Sequence, residues 1–460
     1  MNTIQEPPIH QRHNPSTTSK RRSRNNTRNK SYFIDLANMI CSRESTYRTA
    51  LDIVAFDGPM IGSDLLSFRG IKKLAESFLE AGCGTVFVVI APLITSFVGT
   101  TIGRFLLPTR MRKDTLNYLK FTRDELESMD KFKIGIDRIK EEETEDKHFI
   151  ASLYRRAGKF EKVKQYNQEA NEIKRFHSKF KPSREKLDLA RRLKKYTIIG
   201  ESLLEGGWWG GYGLFLRAFR KYILKEDRFT GTQSYLSDAE SEQLGESGNL
   251  SLFQKIIGIG SIGISPILNT ILLNKTEDKK AVKKSKFLQV VKDQLDMTHG
   301  LYPKLGLLFT YTTIPKWTSV IALSQGWLER GERILKLLTV VSSWWCGHWL
   351  TNGFFALSAD KQLKEKYKTK SGVLVEPSYY EGPPKNDSWF SKLTRKLPEP
   401  AKIHHVMKRT RHNPKLQKEA EELHASSLYK GFLAHGLGVF AINMGVNQIV
   451  KTIALKAAGR

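Results

Sequence analysis

The sequence predicts an all-α, multi-pass membrane helical bundle with charged helical cytoplasmic loops, and three observations carry that expectation. Six glycine-rich apolar blocks cover residues 82–107, 197–219, 252–273, 301–323, 334–359 and 428–455. Each is about as long as a helix needs to cross a hydrocarbon core at ~1.5 Å per residue. The stretches between them are strongly basic, and small residues recur within the blocks at helix-packing spacing. Mean hydropathy is low (-0.39), because charged loops hide the blocks in the average.

Taken in order, residues 1–30 form a basic arm without an apolar core, which argues against a secretory signal and for disorder. Residues 31–107 hold an amphipathic lead-in helix, with Ile71, Leu74, Ala75, Phe78 and Leu79 on one face, and then the first block. Pro92 near the middle of that block, with basic residues on both flanks, predicts a re-entrant piece as readily as a span. Residues 108–196 read as a charged helical cytoplasmic region, with Thr122 and Glu125 placed as a capping box. Residues 197–359 are expected to be the membrane bundle core, 360–427 a basic cytoplasmic loop and 428–460 a C-terminal membrane helix. Within the core, Pro303, Lys304, Pro315 and Lys316 make the fourth block a poor span, expected at an interface or packed inside. The second, third and fifth blocks read as the best spans.

Loop charge orients this arrangement. Lys and Arg number 25 in 108–196, 4 in 220–251, 7 in 275–300, 2 in 324–333 and 15 in 360–429. Basic and poorly basic loops therefore alternate, and the positive-inside rule places the basic ones in the cytoplasm. Arg217, Arg220, Lys221 and Lys225 strain the rule locally, because they crowd the expected outer end of the second block.

The net charge of +28 calls for an anionic partner. Anionic membrane lipids are the expected one, contacted by Lys194, Lys195, Lys408, Arg409 and Arg411. Nucleic acid is disfavoured, since no folded recognition module or aromatic interleaving accompanies the charge. A second copy or another protein is a further partner that the packing faces admit. Three widely spaced cysteines, Cys41, Cys83 and Cys346, make neither a disulfide framework nor a metal site.

Gly258, Gly260 and Gly263 match the spacing of a dinucleotide-binding loop, but Pro266 interrupts the helix which that reading requires. Packing is the better reading for Gly258 and Gly263, and for the overlapping pairs Gly206 with Gly210 and Gly207 with Gly211. No nucleophile elbow, phosphate loop or zinc-spaced cysteine set is present, so no catalytic residue, cofactor or metal is assigned.

Polar residues inside the blocks are the sharper signal, because burying them in hydrocarbon is costly unless they are paired. Glu201 and Glu205 share a helix face, as do Glu76 and Glu80; His348 and Asn352 share another, and His435 and Asn443 lie in the last block. Glu201, Glu205, His348, Asn352, His435 and Asn443 are the expected lining of a polar membrane path.

Residues 76–82 match 201–207 at five of seven positions, and Leu328-Glu329-Arg330-Gly331 echoes them at nearly the same interval, a pattern consistent with internal duplication. Three readings of function follow: a structural, scaffolding or interaction protein, a transporter or channel, and a soluble or peripheral all-helical protein, which includes an enzyme.

Overall fold

A computed structural model describes residues 34, 36–37, 47, 50–156, 158–179, 183–226, 229–232, 235–245, 250–298, 301–342, 349–369, 372–376, 378–381 and 398–460. The basic arm at 1–30 and the side chain of His348 lie outside the described residues. Within them the chain is all-α, without a strand, and the only bridges are isolated ones at Met297 with Pro303 and Val375 with Pro400.

The principal helices are α1 (Gly58–Leu66), α2 (Ile71–Leu106), α3 (Met129–Arg156), α4 (Phe160–Lys179), α5 (Arg184–Ala218), α6 (Leu252–Glu277), α7 (Ile314–Ala322), α8 (Trp327–Ser342), α9 (Phe354–Tyr367), α10 (Ile403–Thr410) and α11 (Pro414–Ala457). π-helical turns lead into α1 (Leu51–Asp57), α7 (Phe309–Thr313) and α9 (Trp349–Gly353). Local chemistry sets several starts. Ser183 caps α5 by accepting from Lys186 N, and Ser251 with Gln254 forms a capping box on α6. Asn413 caps α11, whose first residue, Pro414, gives up a donor that would be orphaned anyway. The expected box at Thr122 and Glu125 is present, but it opens only a single turn, Glu125–Glu127.

Two groups of helices share the core. In the first, α5 is central and packs on α2, α6 and α7. Gly206 lies against Ser265 and Gly210 against the backbone of Ser261 and Ile262, so α6 runs antiparallel to α5. Gly99 meets Leu119 and Thr197, while Glu76 at the other end of α2 meets Arg220, so α2 is antiparallel to α5 as well. In the second group, α11 is flanked along its length by α8 and α9, from Leu328 near Ala454 to Leu363 near Leu416. On its other side α11 carries the Leu51–Leu66 segment, with Gly436 against Pro59 and Ala55.

This arrangement corrects the expectation for the first block. Pro92 sits inside one continuous helix, α2, and there is no re-entrant bend at it. The reversal comes earlier, between α1 and α2, where Gly70 adopts φ 84 and Phe68 φ 51. Just beyond Pro92, Thr95 and Ser96 bond back to the carbonyls of Ala91 and Pro92, one turn earlier.

Among the described residues, three helices are long and apolar enough to cross a membrane: α2 over Val89–Leu106, α6 over Leu252–Glu277, and α11 over Pro414–Ala457. The first, third and sixth blocks thus have the length and composition of spans. The second block differs because α5 is the hub of its group and buries Glu201 and Glu205. The fifth lies only partly within the described residues, since 343–348 fall outside them, and at its start α8 turns Lys336 inward beside Glu332 and Arg333. The fourth is packed inside, with Tyr311, Trp317 and Val320 buried.

Candidate functional site

The two groups of helices meet at a buried cluster of charge. Asp64 comes from α1, Arg69 from the turn after it, Lys73, Glu76 and Glu80 from α2, and Arg220 from the π-helical turn Phe219–Leu224 that follows α5. Lys316 comes from α7, and Glu329, Glu332, Arg333 and Lys336 from α8. The spacing of the α8 residues, one helical turn or two apart, puts all four on one face.

Arg69 pairs with Glu332 and, at 3.5 Å, with Asp64. Lys336 bridges the same two carboxylates at 3.0 and 3.4 Å. Arg220 pairs with Glu76 and Glu329, and Arg333 reaches Glu80 at 3.3 Å and Glu76 at 3.5 Å. Lys316 closes the far side on Glu80 at 2.8 Å. Asn447 of α11 accepts from Arg69 and donates to Asp64 at 3.0 Å, so the second group of helices is bonded into the cluster. Phe229 lies under three of the cations, with Arg69, Lys73 and Arg220 each 5.7 to 5.8 Å from its ring centroid.

Taking so many charges out of water is expensive, and mutual attraction offsets that cost only when geometry and hydrogen bonding are good. Burial pushes the Asp64 carboxyl up, but Lys336, Lys73 and Arg69 outweigh it and hold it at about 2. Glu76 is likewise held at about 2, burial being overcome chiefly by Arg220 and Lys73. Lys73 goes the other way. Burial and Arg333 push its ammonium down to about 8, against the pull of Glu332 and Glu76.

A second buried polar site lies inside the first group. The Tyr311 hydroxyl is 3.0 Å from Glu201 Oε2 and 3.0 Å from the Ile198 carbonyl. Glu201 Oε1 and Glu205 Oε1, one turn apart, have no hydrogen-bond partner among the described residues. Nearby, Asn269 donates to Ser265, the residue that Gly206 allows to approach.

The other expected path residues sit in the second group. Asn352 donates to the Tyr47 hydroxyl and packs against Gly431. Asn443 donates to Val439 O of its own helix, and His435 is buried on α11. His348 falls outside the described residues. The expected lining is therefore divided between the two groups of helices.

Among the packing glycines, Gly206, Gly210 and Gly258 stand where a Cβ would collide, Gly258 with Leu323. Gly207 and Gly211 would make only ordinary contact with Ile262, and Gly263 with the Ile267 side chain.

Of the expected lipid-contacting cations, Lys194 is placed differently. It is fully buried and donates to the Leu119 and Phe121 carbonyls while pairing with Asp296, which leaves no donor for a headgroup. Arg409 bonds the Val373 and Val375 carbonyls and Glu376. Lys195 pairs with Glu277, Lys408 with Glu141 and Glu145, and Arg411 is exposed.

Sequence reasoning paired Glu76 with Glu80 but missed the rest of the cluster. The signal is present in Glu329, Glu332, Arg333 and Lys336, a charged face on an amphipathic helix that overlaps the repeat-like Leu328–Gly331. The related segments have unlike surroundings: Glu76 and Glu80 face cations, while Glu201 faces the hydroxyl of Tyr311. No family model, no curated protein and no solved structure matches the chain.

Proposed function

We propose that this chain is a multi-pass integral membrane protein with a structural or interaction role, its basic end resting on an anionic leaflet. The observation that carries this reading is the outward apolar surface of the three candidate helices. Only 28%, 28% and 39% of their apolar windows are buried. Val89, Leu93, Phe97 and Phe105 on α2 face outward, as do Ile256, Ile259, Ile267 and Ile271 on α6 and Leu433, Leu437, Ile442 and Ile449 on α11. So much exposed apolar surface is out of place in water and ordinary in lipid.

Loop docking supports the orientation. Lys292 pairs with Asp124 and Glu127, which joins 275–300 to 108–196, and Arg156 pairs with Glu421, which joins 108–196 to 360–427. The three basic loops thus gather at one end, with Arg110, Arg112, Lys113, Lys279, Lys280, Lys283 and Lys284 exposed there. Arg220, one of the four cations that strain the positive-inside rule, is neutralised within the buried cluster, as are Arg69 and Lys73 before the first block. Cations spent on internal carboxylates do not compete for a leaflet.

Alkaline carbonate extraction of membranes from cells expressing the chain tests the reading. Retention in the pellet is the expected outcome; release of intact protein to the supernatant contradicts it and favours a peripheral or soluble helical protein. A second reading, a carrier or channel, draws on the buried Glu201 and Glu205 pair. Reconstituted solute or proton flux that Glu205→Gln abolishes supports that reading, and flux indifferent to the change removes its basis.

A further inference from the structure

We propose that Glu145, His404 and His405 form a binding site for a divalent transition-metal ion of the zinc class. The three side chains bring one ligand atom each to within 4.8 Å of the others, and they form the one such group among the described residues. The site lies at the basic end, away from both buried polar sites, where α10 crosses α3.

His404 is the observation that points to a ligand. Its ring is buried, with a relative exposure of 7%, yet neither Nδ1 nor Nε2 has a hydrogen-bond partner among the described residues. Buried polar nitrogens are rarely left that way, because each forfeits its bonds to water. Glu145 Oε2 is 3.6 Å from His404 Nε2, too long for a hydrogen bond. That separation is close to the edge of a tetrahedron of ligands around a zinc-sized ion, about 3.4 Å for bonds of about 2.0 to 2.1 Å.

The surroundings orient the same atoms. Lys408 occupies Glu145 Oε1 at 3.1 Å, which leaves Oε2 for an ion. Glu376 sits 3.0 Å from His405 Nδ1 and is itself held by Arg409 at 2.9 Å and by the Lys402 amide. A carboxylate on Nδ1 fixes the imidazole tautomer and turns Nε2 toward a metal. Asp146 stands 3.9 Å from Nδ1 of His404 in the corresponding place.

Two imidazoles and a carboxylate suit zinc or its neighbours and not magnesium or calcium, which favour oxygen ligands. Three protein ligands leave a fourth position for water. The ion would pin α10 and the 372–376 segment to α3, a clasp between the charged region and the base of α11.

The test uses the full chain, purified in mild detergent and stripped with chelator. Equilibrium dialysis against zinc chloride is expected to give one equivalent per chain, and cobalt chloride the visible absorption of a tetrahedral ion with nitrogen ligands. Glu145→Gln and His405→Gln should each weaken zinc binding at least about tenfold, and Glu376→Gln about tenfold through the His405 ring. Helical circular dichroism identifies any variant that fails to fold, and the remaining variants then decide. Absence of stoichiometric zinc in the wild-type protein overturns the proposal, as does affinity unchanged in the folded variants.

Discussion

Glu332 shows what the buried cluster asks of a single side chain. It faces Arg69, Lys336 and Lys73, all with side chains at most 4% exposed, so removing its charge strands three cations in a water-poor interior. Glu332→Gln is expected to cost about 3–5 kcal/mol, read as a lowered unfolding midpoint in detergent. The same change at half-exposed Glu419, paired with exposed Lys366, should leave the midpoint nearly unmoved, because water screens that pair. Acid should act on the same cluster. Asp64 and Glu76 have native values near 2, below their ordinary 3.8 and 4.5. Their stabilisation is complete above the ordinary range and is lost as pH falls from about 4.5 through about 2. Lys73 is lowered too, to a native value of about 8 against 10.5, which for a base is a cost near neutral pH rather than a gain, so stability should again rise with pH between the two. Thermal unfolding across both windows checks the two slopes.

At the scale of elements, legibility depended on whether a helix's environment is written into its own residues. The third block was legible because its apolar run, capping serine and small-residue seam all belong to one helix, α6. Pro92 misled because a proline reads as a break, whereas one long helix runs through it from Ile71 to Leu106. Basic flanks on α2 misled for a related reason, since nothing local reveals that Arg69 meets Glu332, which is 263 residues away. Seam glycines were legible as a class but not one by one. A Cβ on Gly210 would stand 2.4 Å from the Ser261 carbonyl oxygen, while one on Gly211 would meet Ile262 at 4.0 Å. Gly210→Ala is therefore expected to destabilise by about 1–3 kcal/mol, and Gly211→Ala to be tolerated. Chemical unfolding of the two variants, side by side, tests the α5–α6 seam.

For the whole molecule, the basic loops expected to share a side dock on one another through Lys292 with Asp124 and Glu127 and through Arg156 with Glu421. The polar path was less legible: Glu201 and Glu205 fall in one group of helices and Asn352, His435 and Asn443 in the other. The central claim is that the outward apolar faces of α2, α6 and α11 meet lipid while the basic end meets water. Single cysteines in a background with Cys41, Cys83 and Cys346 replaced by serine test it directly, with an impermeant maleimide applied to each side of sealed membranes. The account predicts that cysteines at Lys113 and Lys283 label from one side only, and that those at Phe97, Ile267 and Leu437 label from neither. Labelling at Ile267 and Leu437 as fast as at Lys283 would contradict it.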